Sequence, residues 1–335
     1  MPRSSMIRPS EIRRLEPGED RPEVSVVIPV YNEEECLPKL RERVLATMEA
    51  LDKSFEIILI DDGSVDGTCE LLEGYARSDS RFVFVQLARN YGQHPAVFAG
   101  FETARGEIIV TLDADLQNPP EEIPKLLQKM EEGYDIVAGW RVERKDSVLR
   151  TLPSRLMNRL LARLLHCELH DYGCMLRAYR RKIVGRMCRH REHSGYIPAM
   201  ATAVGGHITE VSVNHDPREE GESKYTLFRL LNQSYDLITG YSTLPLQALT
   251  WIGFLFSFLG ISFGIFLAIR RLIVGPEVEG VFTLFAILFF FVGTLYLALG
   301  LMGEYLGRIY HEVRARPRYL IDRVVCGDEE EADFS

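Results

Sequence analysis

The sequence lacks the cysteine and charge patterns that mark several common protein classes. Its six cysteines are scattered over 335 residues, none forms a C-x-x-C pair, and no cysteines and histidines have the spacing of a zinc site. Such thiols are typical of a cytosolic domain with reduced cysteines. No basic stripe with interleaved aromatics occurs, and 48 acidic residues against 39 Lys and Arg give a net charge of −9. This composition excludes collagen-like, disordered and small disulfide-rich proteins, and it argues against nucleic-acid binding.

Common nucleotide-binding and hydrolase motifs are also missing. There is no G-x-x-x-x-G-K-[ST] motif, and no G-x-G-x-x-G follows the first predicted strand. A nucleotide is therefore not bound as in an ATPase or a dehydrogenase. No G-x-S-x-G motif supports a hydrolase triad. The Arg-rich N-terminus has no apolar run, so we expect no cleaved signal peptide and a cytoplasmic location for the residues that precede the apolar region.

Charge is absent from two long stretches near the C-terminus. No Asp, Glu, Lys or Arg occurs in residues 237–269 or in residues 280–303. Each stretch exceeds the roughly 20 residues needed to cross a bilayer, and a short polar segment separates them. We therefore predict a transmembrane hairpin over residues 244–303, with spans at about 244–269 and 280–303. Arg270 and Arg271 in the connecting loop weakly oppose an external loop, but the arginines after the second span favour cytoplasmic termini.

Apolar β-branched runs alternate with helix-like segments in the first part of the chain. The predicted strands are residues 24–30, 55–60, 82–87, 107–112 and 135–138. The first predicted helix follows the first strand and ends at about residue 51. The others cover about residues 65–77, 94–104 and 119–132. This alternation predicts an α/β domain over residues 23–226, with a mostly parallel sheet and helices on both faces. Ligands of such sheets bind beyond the carboxyl ends of the strands.

The remaining segments complete the predicted organisation. Residues 1–22 read as a flexible arm, residues 227–243 as an amphipathic juxtamembrane helix, and residues 304–335 as a cytoplasmic tail. A helix rich in Leu and Arg begins near Arg150. Its arginines indicate either a solvated face or, as we favour from its place before the hairpin, an interfacial helix against anionic lipid headgroups.

Carboxylates follow two of the predicted strands. Asp61 and Asp62 come after the second strand, and only one of them can face the cleft because successive strand side chains point in opposite directions. Asp113, Asp115 and Gln117 follow the fourth strand at i, i+2 and i+4, which would put three oxygen ligands on one face of an extended segment. Helix capping would explain one of these residues but not the set. Oxygen ligands without His or Cys favour Mg²⁺ or Mn²⁺ together with the phosphates of a nucleotide.

Longer blocks of sequence carry a resemblance to a known family. They are RNYGQH (89–94), LDADLQNPPEEIP (112–124), DYGCMLRAYRR (171–181), GESKY (221–225), GEYLGRIY (303–310) and VRARPRY (313–319). With the predicted hairpin, these blocks resemble the polyprenyl-phosphate glycosyltransferases of family 2, the group that includes dolichyl-phosphate mannose synthase. The resemblance runs from residue 24 to about residue 319 and implies a Rossmann-like GT-A catalytic domain followed by a two-helix transmembrane hairpin.

The resemblance also implies a reaction. A UDP-sugar would donate its sugar to undecaprenyl phosphate in one inverting displacement, with Mg²⁺ or Mn²⁺ as cofactor. The finer blocks resemble family members that transfer 4-deoxy-4-formamido-L-arabinose for lipid A modification, which gives resistance to cationic antimicrobial peptides such as polymyxin. The family implies a multi-pass protein of the bacterial inner membrane, in contact with membrane lipids, with its catalytic domain in the cytoplasm. Similar proteins form homo-oligomers, and a tetramer is expected by resemblance.

Residue roles follow from the same resemblance. The implied UDP-binding residues are Pro29, Tyr31, Glu33, Asp62 and Asp113, and the implied metal ligands are Asp113, Asp115 and Gln117. The implied catalytic residues are Asp115, Arg141 and Asp171, and those at the acceptor phosphate are Arg150, Ser154, Arg218 and Lys224. The second pKa of a phosphate monoester is about 6, so the acceptor needs little deprotonation near neutral pH. We therefore favour Asp171 as an orienting residue over Asp171 as a base.

Other functions fit part of the pattern. The sugar could be glucose, mannose or an N-acetylhexosamine, because the sequence does not define the pocket that would contact it. A processive polysaccharide synthase is disfavoured, since the Q-x-x-R-W motif is absent. A non-enzymatic membrane scaffold with a degenerate nucleotide site is disfavoured by the intact acidic set at residues 113–117.

Overall fold

A computed structural model describes residues 21–141, 169–171, 173–189, 197–216, 244–274, 281–313 and 317–327. These residues form two compact units. The first unit contains the described residues up to 216 together with residues 317–327, and the second contains two long helices. The predicted arm over most of 1–22 and the predicted helix at 227–243 lie outside the described residues, so both stay predictions. The predicted domain boundaries likewise stay predictions.

The first unit contains one eight-stranded sheet. Its strands are β1 (Val24–Val30), β2 (Phe55–Asp61), β3 (Phe82–Leu87), β4 (Ile108–Thr111), β5 (Ile136–Arg141), β6 (Arg177–Arg180), β7 (Ile208–Val213) and β8 (Ile321–Cys326). The order across the sheet is β7-β5-β6-β4-β1-β2-β3-β8. Strands β6 and β8 are antiparallel to their neighbours, whereas the other pairings are parallel. The carboxyl ends of β1, β2, β4 and β5 therefore meet at one edge of the sheet.

Helices cover both faces of this sheet, as predicted. They are α1 (Leu37–Glu49), α2 (Thr68–Ser78), α3 (Gln93–Thr103), α4 (Ile123–Glu131), α5 (Arg181–Arg189) and α6 (Ile197–Ala203). Buried residues of α1, α2 and α4 form one apolar core, and those of α3, α5 and α6 form another. Strand side chains alternate between the two cores, with Val26 and Ile28 in the first and Val27 in the second.

Close packing fixes α3 against the middle of the sheet. A side chain at Gly100 would collide with Val27 of β1 and Ile60 of β2, so only glycine lets the helix approach this near. Seven of the eleven residues of α3 are buried. The position of its first residue, Gln93, is therefore set by the sheet as well as by the loop before it.

Three features of the sheet differ from the prediction. Strand β5 runs to Arg141, three residues beyond the predicted end, so Arg141 belongs to the strand and does not follow it. Strand β6 lies in a stretch with no predicted strand, where two of the four residues of RAYR are arginines. Strand β8 lies in the predicted C-terminal tail and pairs with β3 at the sheet edge.

The described part of the second unit consists of α7 (Leu244–Val274) and α8 (Val281–Val313). Both helices are long and apolar enough to cross a membrane, over Pro245–Phe266 and Phe290–Gly307 respectively. Large apolar side chains such as Trp251, Phe258 and Leu295 are exposed on them. Two such helices agree with the predicted hairpin, although α8 continues ten residues past the predicted end of the second span at residue 303.

Candidate active site

The loops after β1 and β2 are joined to each other by hydrogen bonds. The backbone N–H of Asn32 donates to Ser64 Oγ over 2.9 Å, and the Val65 N–H donates to Asn32 Oδ1 over 2.9 Å. The Gly67 N–H donates to Glu34 Oε2 over 2.9 Å. Asn32 has a φ of 53°, a conformation that asparagine tolerates better than most residues. The two loops therefore form one rigid rim at the carboxyl edge of the sheet.

Three residues predicted to bind uridine lie at the end of β1 or in the loop that follows it. Pro29 is part of β1, and Tyr31 follows the strand with 46% of its surface exposed. The Glu33 N–H donates to Thr68 Oγ1 at the start of α2 over 3.1 Å. An exposed ring next to an ordered loop can stack on a planar base.

The two aspartates after Ile60 accept hydrogen bonds from different loops, and the expectation that only one of them faces the cleft stays a prediction. Asp61 Oδ1 accepts from the Ser64 N–H over 3.0 Å. Asp62 accepts the Tyr91 N–H over 2.7 Å and the Gly92 N–H over 2.8 Å, one on each carboxylate oxygen. Burial raises the pKa of Asp62, while these two N–H groups act in the opposite direction. Asp62 is therefore a structural acceptor for the loop that leads into α3.

Asp113 follows β4 and is held by two amide side chains. Gln93 Nε2 donates to Asp113 Oδ1 over 2.6 Å, and Asn118 Nδ2 lies 3.4 Å from Asp113 Oδ2. Burial and the nearby charge of Asp115 raise the pKa of Asp113 to about 7, whereas Arg141 and the two amides lower it. A cation in this position would stabilise the ionised carboxylate.

The segment that carries Asp115 and Gln117 is not extended, contrary to the geometry expected from the sequence. The chain turns at Ala114 and Asp115, and Leu116 has a φ of 58°. This conformation is unfavourable for a bulky residue and is found mainly where the surroundings impose it, often at functional sites. Asp115 Oδ1 accepts the Gln117 N–H over 3.1 Å. The turn thus keeps the three oxygen-bearing side chains in a short loop instead of on one strand face.

Arg141 and Asp171 form a two-point ion pair. Arg141 Nε lies 2.6 Å from Asp171 Oδ2, and Nη2 lies 3.0 Å from Oδ1. Asp171 Oδ1 also accepts the Gly173 N–H over 3.0 Å. Burial alone would lower the pKa of Arg141, but the hydrogen bonds and charge of Asp171 raise it. The side chains are 15% and 3% exposed, so this pair is shielded from water far better than a surface salt bridge.

A network of buried contacts fixes the loop that contains Asp171. Arg177 is 1% exposed, and it donates through Nε to the Cys174 carbonyl over 2.8 Å and through Nη2 to the Asp171 carbonyl over 3.2 Å. Glu210 of β7 accepts the His170 N–H over 2.9 Å and the Asp171 N–H over 3.3 Å. Its Oε2 also lies 2.8 Å from His170 Nδ1. The described residues of this loop are therefore held by side chains of both β6 and β7.

The structure describes most of the predicted site residues at the carboxyl edge of the sheet. Asp62, Asp113, Asp115, Gln117, Arg141 and Asp171 all follow or end strands at this edge, or lie in the ordered loop before β6. Arg141 is within electrostatic range of Asp113, so the ends of β4 and β5 share one electrostatic environment. The predicted acceptor residues Arg150, Ser154, Arg218 and Lys224 lie outside the described residues.

Sequence reasoning missed several residues that organise the site. They are Gln93, Asn118, Arg177 and Glu210. Gln93 and Asn118 lie in blocks that carried the family resemblance, which was a usable signal. Glu210 lies in a strand whose burial and pairing could not be read from one sequence. Arg177 could not be predicted as buried, because arginine side chains are rarely buried in proteins.

The residues after β4 fit a divalent cation that is bound together with phosphates. Among the described residues no three His, Cys, Asp or Glu side chains form a potential metal site. The loop after β4 offers two carboxylates, of Asp113 and Asp115, and the side-chain amide oxygen of Gln117 as possible cation ligands. Mg²⁺ usually takes one or two protein carboxylates and completes its coordination with substrate phosphates and water. The donor set therefore suits a cation that arrives with a nucleotide.

Comparison with known proteins identifies the family. Residues 25–187 match the model of glycosyl transferase family 2. The undecaprenyl-phosphate 4-deoxy-4-formamido-L-arabinose transferase of Shewanella sediminis is 51% identical over 308 residues, which cover 91% of this chain and 93% of that protein. The protein of the same name from Yersinia pestis is 50% identical over 311 residues, 92% of this chain and 95% of that protein.

Solved structures give a more distant similarity. The crystal structure of glucosyl-3-phosphoglycerate synthase from Mycobacterium tuberculosis with phosphoglyceric acid has a TM-score of 0.46 and 20% sequence identity. The alignment covers 68% of this chain and 84% of that one. The family assignment rests on the sequence relatives, which match more than nine-tenths of the chain. The chain therefore belongs to glycosyl transferase family 2, in the group of the undecaprenyl-phosphate 4-deoxy-4-formamido-L-arabinose transferases.

Proposed function

We propose that this protein transfers 4-deoxy-4-formamido-L-arabinose from UDP to undecaprenyl phosphate. The observation that carries the proposal is the arrangement of Asp113, Arg141 and Asp171 at one edge of the sheet, in a chain whose relatives bear that name. Asp113 follows β4, Arg141 ends β5, and Asp171 lies in the loop before β6, the strand between them. This edge offers an acidic loop for a nucleotide with its cation and a guanidinium for a second anionic group. Those are the two kinds of group that a UDP-sugar and a lipid phosphate present.

The reaction is a single displacement at the anomeric carbon. A phosphate oxygen of the acceptor forms the new bond to that carbon, the bond to the UDP oxygen breaks, and UDP leaves with the electron pair. The configuration inverts. The acceptor is already anionic near neutral pH, because its second pKa is about 6. Positioning two anionic reactants against their repulsion is therefore the main task of the protein.

Asp171 acts as an orienting residue in this proposal. Both of its oxygens accept hydrogen bonds from Arg141, and one also accepts from Gly173. A carboxylate so engaged is suited to fixing a guanidinium rather than to removing a proton. Arg141 would contact a donor or acceptor phosphate, and its charge would stabilise the negative charge that develops during transfer.

The nucleotide would occupy the rim formed by the β1 and β2 loops. Tyr31, with Pro29 and Glu33, would contact the uridine, and Asp62 would support the loop at residues 91–92. Asp113, Asp115 and Gln117 would hold Mg²⁺ or Mn²⁺, which neutralises charge on the departing diphosphate when bound. The acidic loop provides ligands but no counter-charge of its own, which supports a requirement for a cation.

The acceptor side of the proposal concerns the membrane. Helices α7 and α8 would anchor the protein in the bacterial inner membrane, with the catalytic domain and both termini in the cytoplasm. Arg150, Ser154, Arg218 and Lys224 would contact the acceptor phosphate, and the Arg-rich helix near Arg150 would lie against lipid headgroups. Assembly as a homo-oligomer, a tetramer by resemblance, belongs to the same proposal.

The test is transfer from a panel of UDP-sugars to undecaprenyl phosphate by the full-length protein in detergent. Reactions would contain Mg²⁺, Mn²⁺ or a chelator. We expect turnover of UDP-4-deoxy-4-formamido-L-arabinose alone, with loss in the chelator. Preference for UDP-glucose or another hexose donor would agree with the proposed reaction type and contradict the proposed identity of the sugar. No turnover of any donor, with UDP still bound, would favour a non-enzymatic scaffold.

A further inference from the structure

We infer that Gln93 is a positioning residue whose amide N–H orients the Asp113 carboxylate toward a divalent cation bound with the nucleotide diphosphate. The inference rests on the proposed function, because it assigns a supporting residue to the cation site of the same reaction. It also gives a role to Gln93 in the RNYGQH block, which the proposed function does not use.

The contact between the two side chains is short and specific. Gln93 Nε2 lies 2.6 Å from Asp113 Oδ1, across 20 residues of sequence. Gln93 is the first residue of α3, and its side chain is exposed while the rest of the helix is largely buried. Core packing therefore does not force the side chain into this position. The hydrogen bond itself accounts for its direction.

Asp62 and Gly92 determine the position of the Gln93 backbone. The Asp62 carboxylate accepts the N–H groups of Tyr91 and Gly92, and Gly92 has a φ of 97° that favours glycine. The chain enters α3 immediately after this turn. A continuous set of contacts therefore joins the end of β2, through the turn at residues 91–92 and Gln93, to Asp113 at the end of β4.

A neutral amide is suited to this role. It fixes the plane of the carboxylate through one oxygen, and it leaves the second lone pair of that oxygen for a cation. It adds no positive charge, whereas a lysine or arginine in the same position would repel the cation. Groups that hydrogen-bond to a metal-ligating carboxylate typically change metal affinity 10- to 100-fold when they are replaced.

The test is Mn²⁺ binding to the full-length protein in detergent with UDP present, measured by titration calorimetry for Gln93→Met. This substitution preserves side-chain length and removes the N–H donor. We expect the Kd for Mn²⁺ to rise about 10- to 100-fold. We also expect unchanged UDP binding in chelator and an unchanged thermal midpoint. The control is Gln128→Met, the same change at an exposed glutamine on α4, which should bind Mn²⁺ as the unsubstituted protein does.

The outcomes separate this inference from the proposed function. Equal Mn²⁺ affinity in Gln93→Met and the unsubstituted protein would overturn the role of Gln93 and leave the transfer reaction intact. A parallel loss of metal-free UDP binding or of thermal stability would assign Gln93 a merely structural role and would also overturn it. Absence of Mn²⁺ binding in the unsubstituted protein would overturn the cation site itself, whether or not transfer is observed.

Discussion

Arg141, the last residue of β5, contacts both carboxylate oxygens of Asp171, which lies 30 residues further along the chain. Planar pairs of this kind fix two groups in one plane and are stronger than single hydrogen bonds. The pair also links β5, the second strand from one edge of the sheet, to the loop before β6, so the position of the guanidinium depends on the position of Asp171 in that loop. Arginine is the only side chain with the fork that this contact requires.

The ion pair predicts the behaviour of Asp171→Asn. We expect kcat to fall about 100-fold, because a displaced Arg141 no longer positions the phosphate that it contacts for the displacement. The acidic limb of the pH–rate profile should stay near pH 6, where the acceptor phosphate titrates. The measurement is the transfer rate between pH 5 and pH 8. Loss of the acidic limb in the variant would instead identify Asp171 as the base.

Asp115→Asn tests the acidic loop. The proposed cation site has only two carboxylates, and the substitution removes one of them. We therefore expect the transfer rate to fall by roughly 100-fold or more. The thermal midpoint should be unchanged, because Asp115 bonds only to a neighbouring backbone N–H in the described contacts. Asp52→Asn, at an exposed loop position, is the matched control and should remain active. Full activity of the Asp115 variant would contradict the assignment of this loop to a cation.

Glu102 predicts a dependence of stability on pH. Burial raises the pKa of Glu102, while Tyr319 and Arg318 lower it only in part. A carboxyl group with a raised folded-state pKa stabilises the fold at pH values below its unfolded pKa, and this contribution is lost as pH rises through the folded pKa. Glu102→Gln should therefore be less sensitive than the unsubstituted protein to a change from pH 4 to pH 8. Thermal midpoints across that range measure the effect, and parallel curves for the two proteins would contradict it.

Removal of β8 should destabilise the catalytic domain. A chain that ends after Arg316 loses the pairing of β8 with β3 and the buried side chains of Ile321 and Val325. Each such side chain contributes about 1.5–3 kcal/mol. We expect aggregation or a lowered thermal midpoint, measured on detergent-purified protein. A chain that ends after Gly327 retains β8 and should behave as the full-length protein does. Equal stability of the two truncations would refute a structural role for β8.

The fold was predictable where local pattern and burial agree. The runs at residues 24–30 and 82–87 are apolar on both faces, and the structure has strands with the same bounds. Strand β6 was not predictable, because Arg177 is buried in it only by virtue of carbonyl acceptors that the tertiary fold supplies. Strand β8 was missed because its partner, β3, lies more than 230 residues away in the sequence.

The candidate site shows the same division. The acidic residues after β2 and β4 could be found from strand ends and spacing alone. The turn at residues 114–116 could not, because a positive φ at a leucine contradicts local preference and exists only where surrounding contacts impose it. The contact between Gln93 and Asp113 joins the start of α3 to the residues after β4. Helix α3 follows β3, and two strands separate β3 from β4 in the sheet. The contact depends on how α3 packs, which one sequence does not specify.

Strand β8 has a consequence for biosynthesis. A ribosome makes β3 early and β8 only after both apolar helices, so β3 has an unpaired edge until β8 emerges. Unpaired edges invite association with other chains. The sheet can be completed only once residues 321–326 leave the ribosome, and by then both apolar helices have left it. Maturation of the catalytic domain is in this way tied to the synthesis of the apolar helices that precede β8.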